Sequence, residues 1–115
     1  MKLLTLVIPS YNVEALLRPC VERMVPAGEE LDILIVDDGS TDGTPAVADA
    51  LAEEYPNIVR VIHQENGGHG EGLNQGIRTA RGIYLKSVDA DDRIDTESLE
   101  KMLDLLRVTY SLPHT

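Results

Sequence analysis

The sequence predicts an α/β fold: one domain with a sheet of mainly parallel strands flanked by helices in three layers. Three observations carry that prediction. Short continuous apolar runs, the mark of strands buried on both faces, alternate along the chain with stretches whose apolar residues recur at helical spacing. Such alternation is the signature of parallel strands joined by right-handed crossovers. The polar clusters that could carry chemistry all follow the apolar runs, while the residues before those runs are plain. In a parallel sheet, ligands bind outside the carboxyl ends of the strands, where the strand order reverses.

Leu3 to Ile8 is the first strand, stopped by Pro9. Asn12 can cap a helix over roughly Val13 to Met24, with Leu16, Leu17, Cys20, Val21 and Met24 on one face. Pro19 inside that span predicts a kink or a late start. Pro26-Ala27-Gly28 turns the chain into a second strand, Leu31 to Val36, which runs into Asp37-Asp38-Gly39-Ser40-Thr41-Asp42-Gly43. Thr44 then caps a helix with Pro45 at its first position and a stripe of Val47, Ala48, Leu51 and Tyr55. Ile58 to Ile62 is the third strand. The glycine-rich loop Asn66 to Gly72 opens a short helix through Leu73, Ile77 and Ala80, ended by Gly82. Ile83 to Val88 is the fourth strand and drives into Asp89-Ala90-Asp91-Asp92. Asp95 or Thr96 caps a last helix with Leu99, Met102, Leu103 and Leu106 at i, i+3, i+4 and i+7. Residues 1–110 are read as the domain and 111–115 as a tail.

Composition narrows the function classes. The 115 residues are 43% hydrophobic and 26% charged, ordinary for a globular domain. A formal charge of -10 argues against nucleic-acid and anionic-lipid partners. Cys20 is the single cysteine, so there is no internal disulfide and no cysteine metal cluster, which fits a reducing, cytoplasmic setting. No apolar run approaches the ~20 residues that span a bilayer. With no Phe or Trp and four Tyr, little aromatic surface is on offer for stacking.

Three carboxylates within four residues at Asp89, Asp91 and Asp92 repel one another unless something positive sits among them. Asp89 and Asp91 lie two apart, so at an extended strand end they face the same side and can share a hard divalent cation. Alone, the pattern is also that of a polar exit from a strand. Asp37-Asp38-Gly39-Ser40 is open to the same two readings. One carboxylate could accept the ring N–H of a uracil-like base with Tyr11 on its face, or the four residues could form an ordinary turn. The glycine loop is neither G-x-G-x-x-G nor a loop ending in Gly-Lys-Ser/Thr, and its expected role is close backbone approach to a ligand or to the neighbouring strand. His63 and His69 are assigned ordinary polar roles, Lys86 a snorkelling one, and Arg78 and Arg81 a solvated face.

In order along the chain come Ile8-Pro9-Ser10-Tyr11-Asn12, Val36-Asp37-Asp38-Gly39-Ser40-Thr41-Asp42, Asn66-Gly67-Gly68 with Asn74 and Gly76, Ala80-Arg81-Gly82, and Asp89-Ala90-Asp91-Asp92. This series closely resembles the amino-terminal half of family 2 glycosyltransferases, which have the Rossmann-like GT-A fold, and it covers the chain to about Leu106. The resemblance implies that Pro9, Tyr11 and one or both of Asp37 and Asp38 hold the nucleotide, with Asp89 beside them. It implies that Asp89 and Asp91 form the D-x-D site for Mn2+ or Mg2+ bridging the donor diphosphate. It implies a nucleotide-sugar donor, a UDP-sugar in the first place, and inverting transfer to a sugar, polysaccharide or lipid-linked acceptor. Many relatives work at the inner face of the membrane on cell-envelope polysaccharides.

The chain also departs from the family's pattern. No residue matches the family's catalytic base, which lies beyond the D-x-D half, and Arg93 stands where many relatives carry an aromatic. The expectation is a truncated, donor-binding half that lacks complete transferase activity and self-associates through an exposed sheet edge. A non-catalytic nucleotide-sugar-binding or assembly module shares every motif. A phosphoacceptor receiver domain does not fit, because its acidic pair follows the first strand and its Lys a fifth. A nucleotidyltransferase would need a basic glycine-rich loop near the amino terminus.

Overall fold

A computed structural model describes residues 1–65 and 67–111, with the side chain of His69 outside the described atoms. Asn66, which belongs to the glycine-loop motif, and residues 112–115 of the expected tail therefore lie outside the described residues. The elements alternate as anticipated: β1 (Leu4–Ser10), α1 (Glu14–Met24), β2 (Leu31–Asp38), α2 (Thr44–Glu54), β3 (Val59–Gln64), α3 (His69–Thr79), β4 (Tyr84–Ser87) and α4 (Thr96–Ser111). A single 3₁₀ turn, Val25–Ala27, follows α1. The four strands form one parallel sheet in the order β3-β2-β1-β4. The chain thus steps outward from β1 to β3, returns, and lays β4 on the other side of β1. The reversal of strand order falls between β1 and β4.

Strand periodicity divides the core into two unequal layers. Leu4, Leu6 and Ile8 of β1 and Leu31, Ile33 and Ile35 of β2 join Leu17, Val21 and Met24 of α1, Leu51 of α2, and Leu99 and Leu103 of α4 in the larger cluster. The opposite face carries Val7, Leu34 and Val36, with Ile62 packed against them. There α3 lies so close to the sheet that a Cβ on Gly76 would come within 2.6 Å of the Val7 side chain. After α3, a Cβ on Gly82 would sit 2.5 Å from the backbone nitrogen of Thr5. Both positions therefore require glycine for close packing rather than for turn geometry.

On the same face as α3, Asp32 is 1% exposed and carries a dense network. It accepts two hydrogen bonds from the Arg60 guanidinium (2.8 and 2.7 Å), one from the Thr5 hydroxyl (2.7 Å) and one from the Arg81 N–H (3.0 Å). Arg60 also donates to the Thr79 carbonyl, so the end of α3 is fixed to the sheet. Arg81 enters through its backbone, with its side chain exposed. Arg78 pairs with Glu71 at 3.6 Å on the exposed surface, and Lys86 is exposed.

Three sequence expectations need correction. Asn12 does not cap α1. It adopts a left-handed backbone with φ of 52°, and the N-cap position belongs to Val13, which makes no side-chain capping bond. The cap of α2 lies at Gly43, so Thr44 is already helical, and Pro45 is one place further in than expected. The ends of the two helices support one another instead. The Asp42 carboxylate accepts the Thr44 N–H (2.9 Å) and the Glu14 N–H (3.4 Å). Glu14 accepts the Gly43 N–H (2.8 Å), and the Thr44 hydroxyl accepts the Val13 N–H (2.9 Å). Third, β4 stops at Ser87, short of the acidic cluster. Asp95 does cap α4, accepting the Ser98 N–H at 2.7 Å, and that helix continues to Ser111.

Candidate functional site

The carboxyl ends of β1, β2 and β4 bring the sequence-predicted residues to one rim. Because β1 lies between β2 and β4, Pro9 to Asn12 is flanked by Asp37–Asp42 on one side and by Asp89–Asp92 on the other. Tyr11 is 48% exposed at the centre of this rim, so its ring is free to cover a flat ligand. Asn12 ties the first two loops together. Its Oδ1 accepts the Thr41 N–H at 2.8 Å, and its own N–H donates to the Ser40 hydroxyl at 3.0 Å. Those bonds occupy the groups a cap would have used, which is why Asn12 serves the loops and not α1.

Asp37 and Asp38 are adjacent in sequence and bonded to opposite sides of the sheet. Asp37, 3% exposed, accepts the Ser40 N–H through Oδ1 (3.2 Å), while His63 Nδ1 lies 2.9 Å from its Oδ2. Asp38, 8% exposed, turns to the α3 side. It accepts the Gly67 and Gly68 N–H groups (2.7 and 3.0 Å) and the Gln64 amide (2.9 Å). The Gln64 bond, then the Gly67 N–H, hold the Asp38 carboxyl below its ordinary value and outweigh the opposing effect of desolvation. The described part of the glycine loop is thus fastened to Asp38, bringing its backbone close to a neighbouring strand.

At the end of β4 the chain makes a final sheet bond from the Val88 N–H to the Val7 carbonyl (2.8 Å) and then turns. The Asp92 N–H donates to the Asp89 carbonyl, and the Asp89 N–H to Asp92 Oδ2, both at 2.9 Å. A turn gathers the carboxylates, not an extended strand end as the spacing of Asp89 and Asp91 suggests, and the turn recruits Asp92 as well. Asp89, Asp91 and Asp92 are exposed, and each offers an oxygen within 4.8 Å of the others. Hard carboxylate oxygens at that separation suit Mg2+ or Mn2+. Ala90, buried between them, roots the turn in the core. From behind, Arg23 at the end of α1 donates to the Asp92 carbonyl (3.1 Å), while the Thr96 hydroxyl donates to the Arg23 carbonyl (2.7 Å). A small hollow lined by Leu16, Pro19, Arg23, Ala90, Asp91 and Arg93 backs the turn. A larger open groove between α1 and α2, lined by Asn12, Glu14, Arg18, Asp42 and Val47 among others, contains none of the predicted site residues.

The sequence alone did not link His63 to Asp37 or Arg23 to the acidic turn. The signal for His63 was present: with β2 and β3 aligned in parallel, Asp37 pairs in register with His63. Arg23 carried no signal, since its partner is a backbone carbonyl 69 residues away.

The model of the glycosyl transferase family 2 matches residues 5–111. Glycosyltransferase GlyG of Streptococcus pneumoniae is 39% identical over 103 residues, covering 88% of this chain and 34% of its own length. Chondroitin synthase of Escherichia coli is 37% identical over 113 residues, covering 96% of this chain and 16% of its own. Among solved structures, a mannosyltransferase from Pyrobaculum calidifontis in complex with GDP-Man and Mn2+ superposes with a TM-score of 0.69 at 29% identity. That match covers 76% of this chain and 27% of the other. TarS of S. aureus in complex with UDP-GlcNAc gives 0.68 at 25% identity, covering 96% of this chain and 32% of the other. The chain thus spans about a third or less of the length of these relatives. Among the described residues, no helix is long and apolar enough to cross a membrane. The sheet order, the acidic turn beyond β4 and the family match over nearly the whole chain agree: this chain belongs to glycosyl transferase family 2.

Proposed function

We propose that this chain is the donor-binding part of a metal-dependent glycosyltransferase that takes a nucleoside diphosphate sugar, a UDP-sugar in the first place. The observation that carries this reading is the rim at the strand-order reversal. There an exposed tyrosine lies between a hydrogen-bonded carboxylate pair and a three-carboxylate turn. Tyr11 covers one face of the base, Pro9 lines its edge, and Asp37 or Asp38 accepts the ring N–H. Asp89 and Asp91, with Asp92 beside them, would hold Mn2+ or Mg2+, and Asp89 also faces the nucleotide. Bound there, the cation would supply Lewis-acid neutralisation of the diphosphate leaving group.

Within the chain's own residues the work is binding and orientation. Asp38 fixes the glycine-loop backbone, Asn12 fixes Tyr11's neighbours, and Arg23 and Thr96 hold the acidic turn. The transfer itself is read as inverting and directed at a sugar, polysaccharide or lipid-linked acceptor of the cell envelope, and we assign its base to none of the residues named here. The setting we favour is cytoplasmic, at the inner face of the membrane. The buried, unpaired Cys20 is consistent with a reducing compartment. The test is calorimetric titration with UDP, with and without Mn2+, on the chain and on Asp91→Asn. Manganese-dependent binding lost in Asp91→Asn supports the reading. Binding that ignores both the metal and the substitution overturns the metal-bridged site.

A further inference from the structure

His63 sits outside every motif that carried the functional reading, yet it touches the base-binding end of β2. Its Nδ1 lies 2.9 Å from Asp37 Oδ2 and its Nε2 2.8 Å from Asp49 Oδ1 on α2. A neutral imidazole has one N–H and one lone pair, so it cannot donate to both carboxylates at once. The imidazolium can. The bonds continue from there toward the rim. Asp37 Oδ1 accepts the Ser40 N–H (3.2 Å), and the Ser40 hydroxyl accepts the N–H of Asn12 (3.0 Å), the residue after Tyr11. We infer that His63 is a positioning residue for the nucleotide base, holding Asp37 and through it the Ser40–Asn12–Tyr11 link, so that nucleotide affinity is greatest when the ring carries both protons.

The inference rests on the nucleotide reading above. Asp37 and Asp49 are the charged groups facing the ring from β2 and α2, the two elements packed against β3 on that side, and both favour the charged form. The bond to Asp37, then the bond to Asp49, raise the His63 pKa from the ordinary 6.5, which moves its titration toward neutral pH. Once the proton leaves, one carboxylate faces a lone pair. When that carboxylate is Asp37, the Ser40 loop loses its anchor. The other oxygen of Asp37 and the unused lone pairs of both remain available to a base N–H.

The test is calorimetric titration of the chain with UDP in Mg2+ from about pH 6 to about pH 8.5, beside His63→Gln. A glutamine amide can donate to Asp37 without titrating. The terminal phosphate of UDP titrates in the same range, so the readout is the ratio of the two dissociation constants at each pH. The expected result is a wild-type advantage of about three- to tenfold at the acid end that disappears at the alkaline end. The imidazole resonance of His63, followed by NMR in the wild type, should titrate at higher pH when UDP is bound, because linkage is reciprocal. This second measurement decides the matter if His63→Gln does not fold. A ratio constant across the range, or a His63 titration unmoved by UDP, overturns the positioning role and leaves the nucleotide reading standing. No UDP binding at any pH overturns both.

Discussion

Arg60 grips Asp32 through two nitrogens, Nε at 2.8 Å and a terminal nitrogen at 2.7 Å, across the face of the sheet that α3 covers. Asp32 is 1% exposed near the start of β2, where an apolar residue would be the simpler choice. Its four donors come from β1, from β3 and from the link between α3 and β4, so one carboxylate holds three segments together.

Removing one partner of such a buried pair strands the other. Asp32→Ala should lower stability by about 3 kcal/mol in urea unfolding, with Arg60→Ala close behind. Burial works to raise the Asp32 pKa, but the Arg60, Thr5 and Arg81 bonds together bring it below the ordinary 3.8. Asp38 is lowered as well. A lowered carboxylate contributes stability above its unfolded pKa and loses it as pH falls through the folded one. His63 is raised, so its contribution is complete below 6.5 and fades as pH climbs through the higher folded value. Melting temperature should therefore fall below about pH 4, and should also decline modestly as pH rises above 6.5 through the raised His63 value. The decline with rising pH, and not the acid one, should vanish in His63→Gln.

The two close approaches of α3 and its exit give a second test. Gly82→Ala places a methyl 2.5 Å from the Thr5 backbone, which cannot move without breaking the β1–β4 pairing. Gly76→Ala meets only the Val7 side chain. Both should destabilise by about 1–3 kcal/mol, with Gly82→Ala the worse, measured by chemical denaturation.

Cys20 is buried on α1 behind the acidic turn, and burial pushes its thiol up to about 11. The thiolate is the reactive form. A thiol reagent at about pH 8 should label the folded chain far more slowly than the urea-unfolded chain. Equal rates would mean that α1 does not pack as described.

Among the described residues, β3 and β4 are the outer strands of the sheet, and Ile83 and Leu85 at the β4 edge are 41% and 40% exposed. An edge with apolar side chains invites strand addition. Light scattering should show mass rising with concentration, and Leu85→Lys should return the chain to monomer. A monomer at every concentration contradicts self-association through this edge.

Four strands and four helices were legible because their signals are local and redundant. Leu31 to Val36 is apolar at every position but one, and α4 announces itself with both a cap and a stripe. The site was legible by position, since each cluster follows a strand. What was not legible depended on partners distant in sequence. Asn12 has the chemistry of a cap, and nothing local reveals that Thr41, 29 residues away, claims its side chain. The opposite facing of Asp37 and Asp38 follows from the two-residue period of a strand, but only if β2 extends through both, whereas its apolar run stops at Val36. The acidic turn depends on where β4 ends, and strand ends are set by pairing with β1 as much as by composition.

The most direct test of the account is the map of amide NMR shifts on adding UDP and Mg2+ to the chain. Donor binding at the rim should give Mg2+-dependent shifts concentrated at Tyr11 and Asn12, Asp37 to Ser40, Gly67 and Gly68, and Asp89 to Asp92. Shifts centred instead on the groove between α1 and α2, or a rim that does not respond, would contradict the assignment of the rim as the donor site.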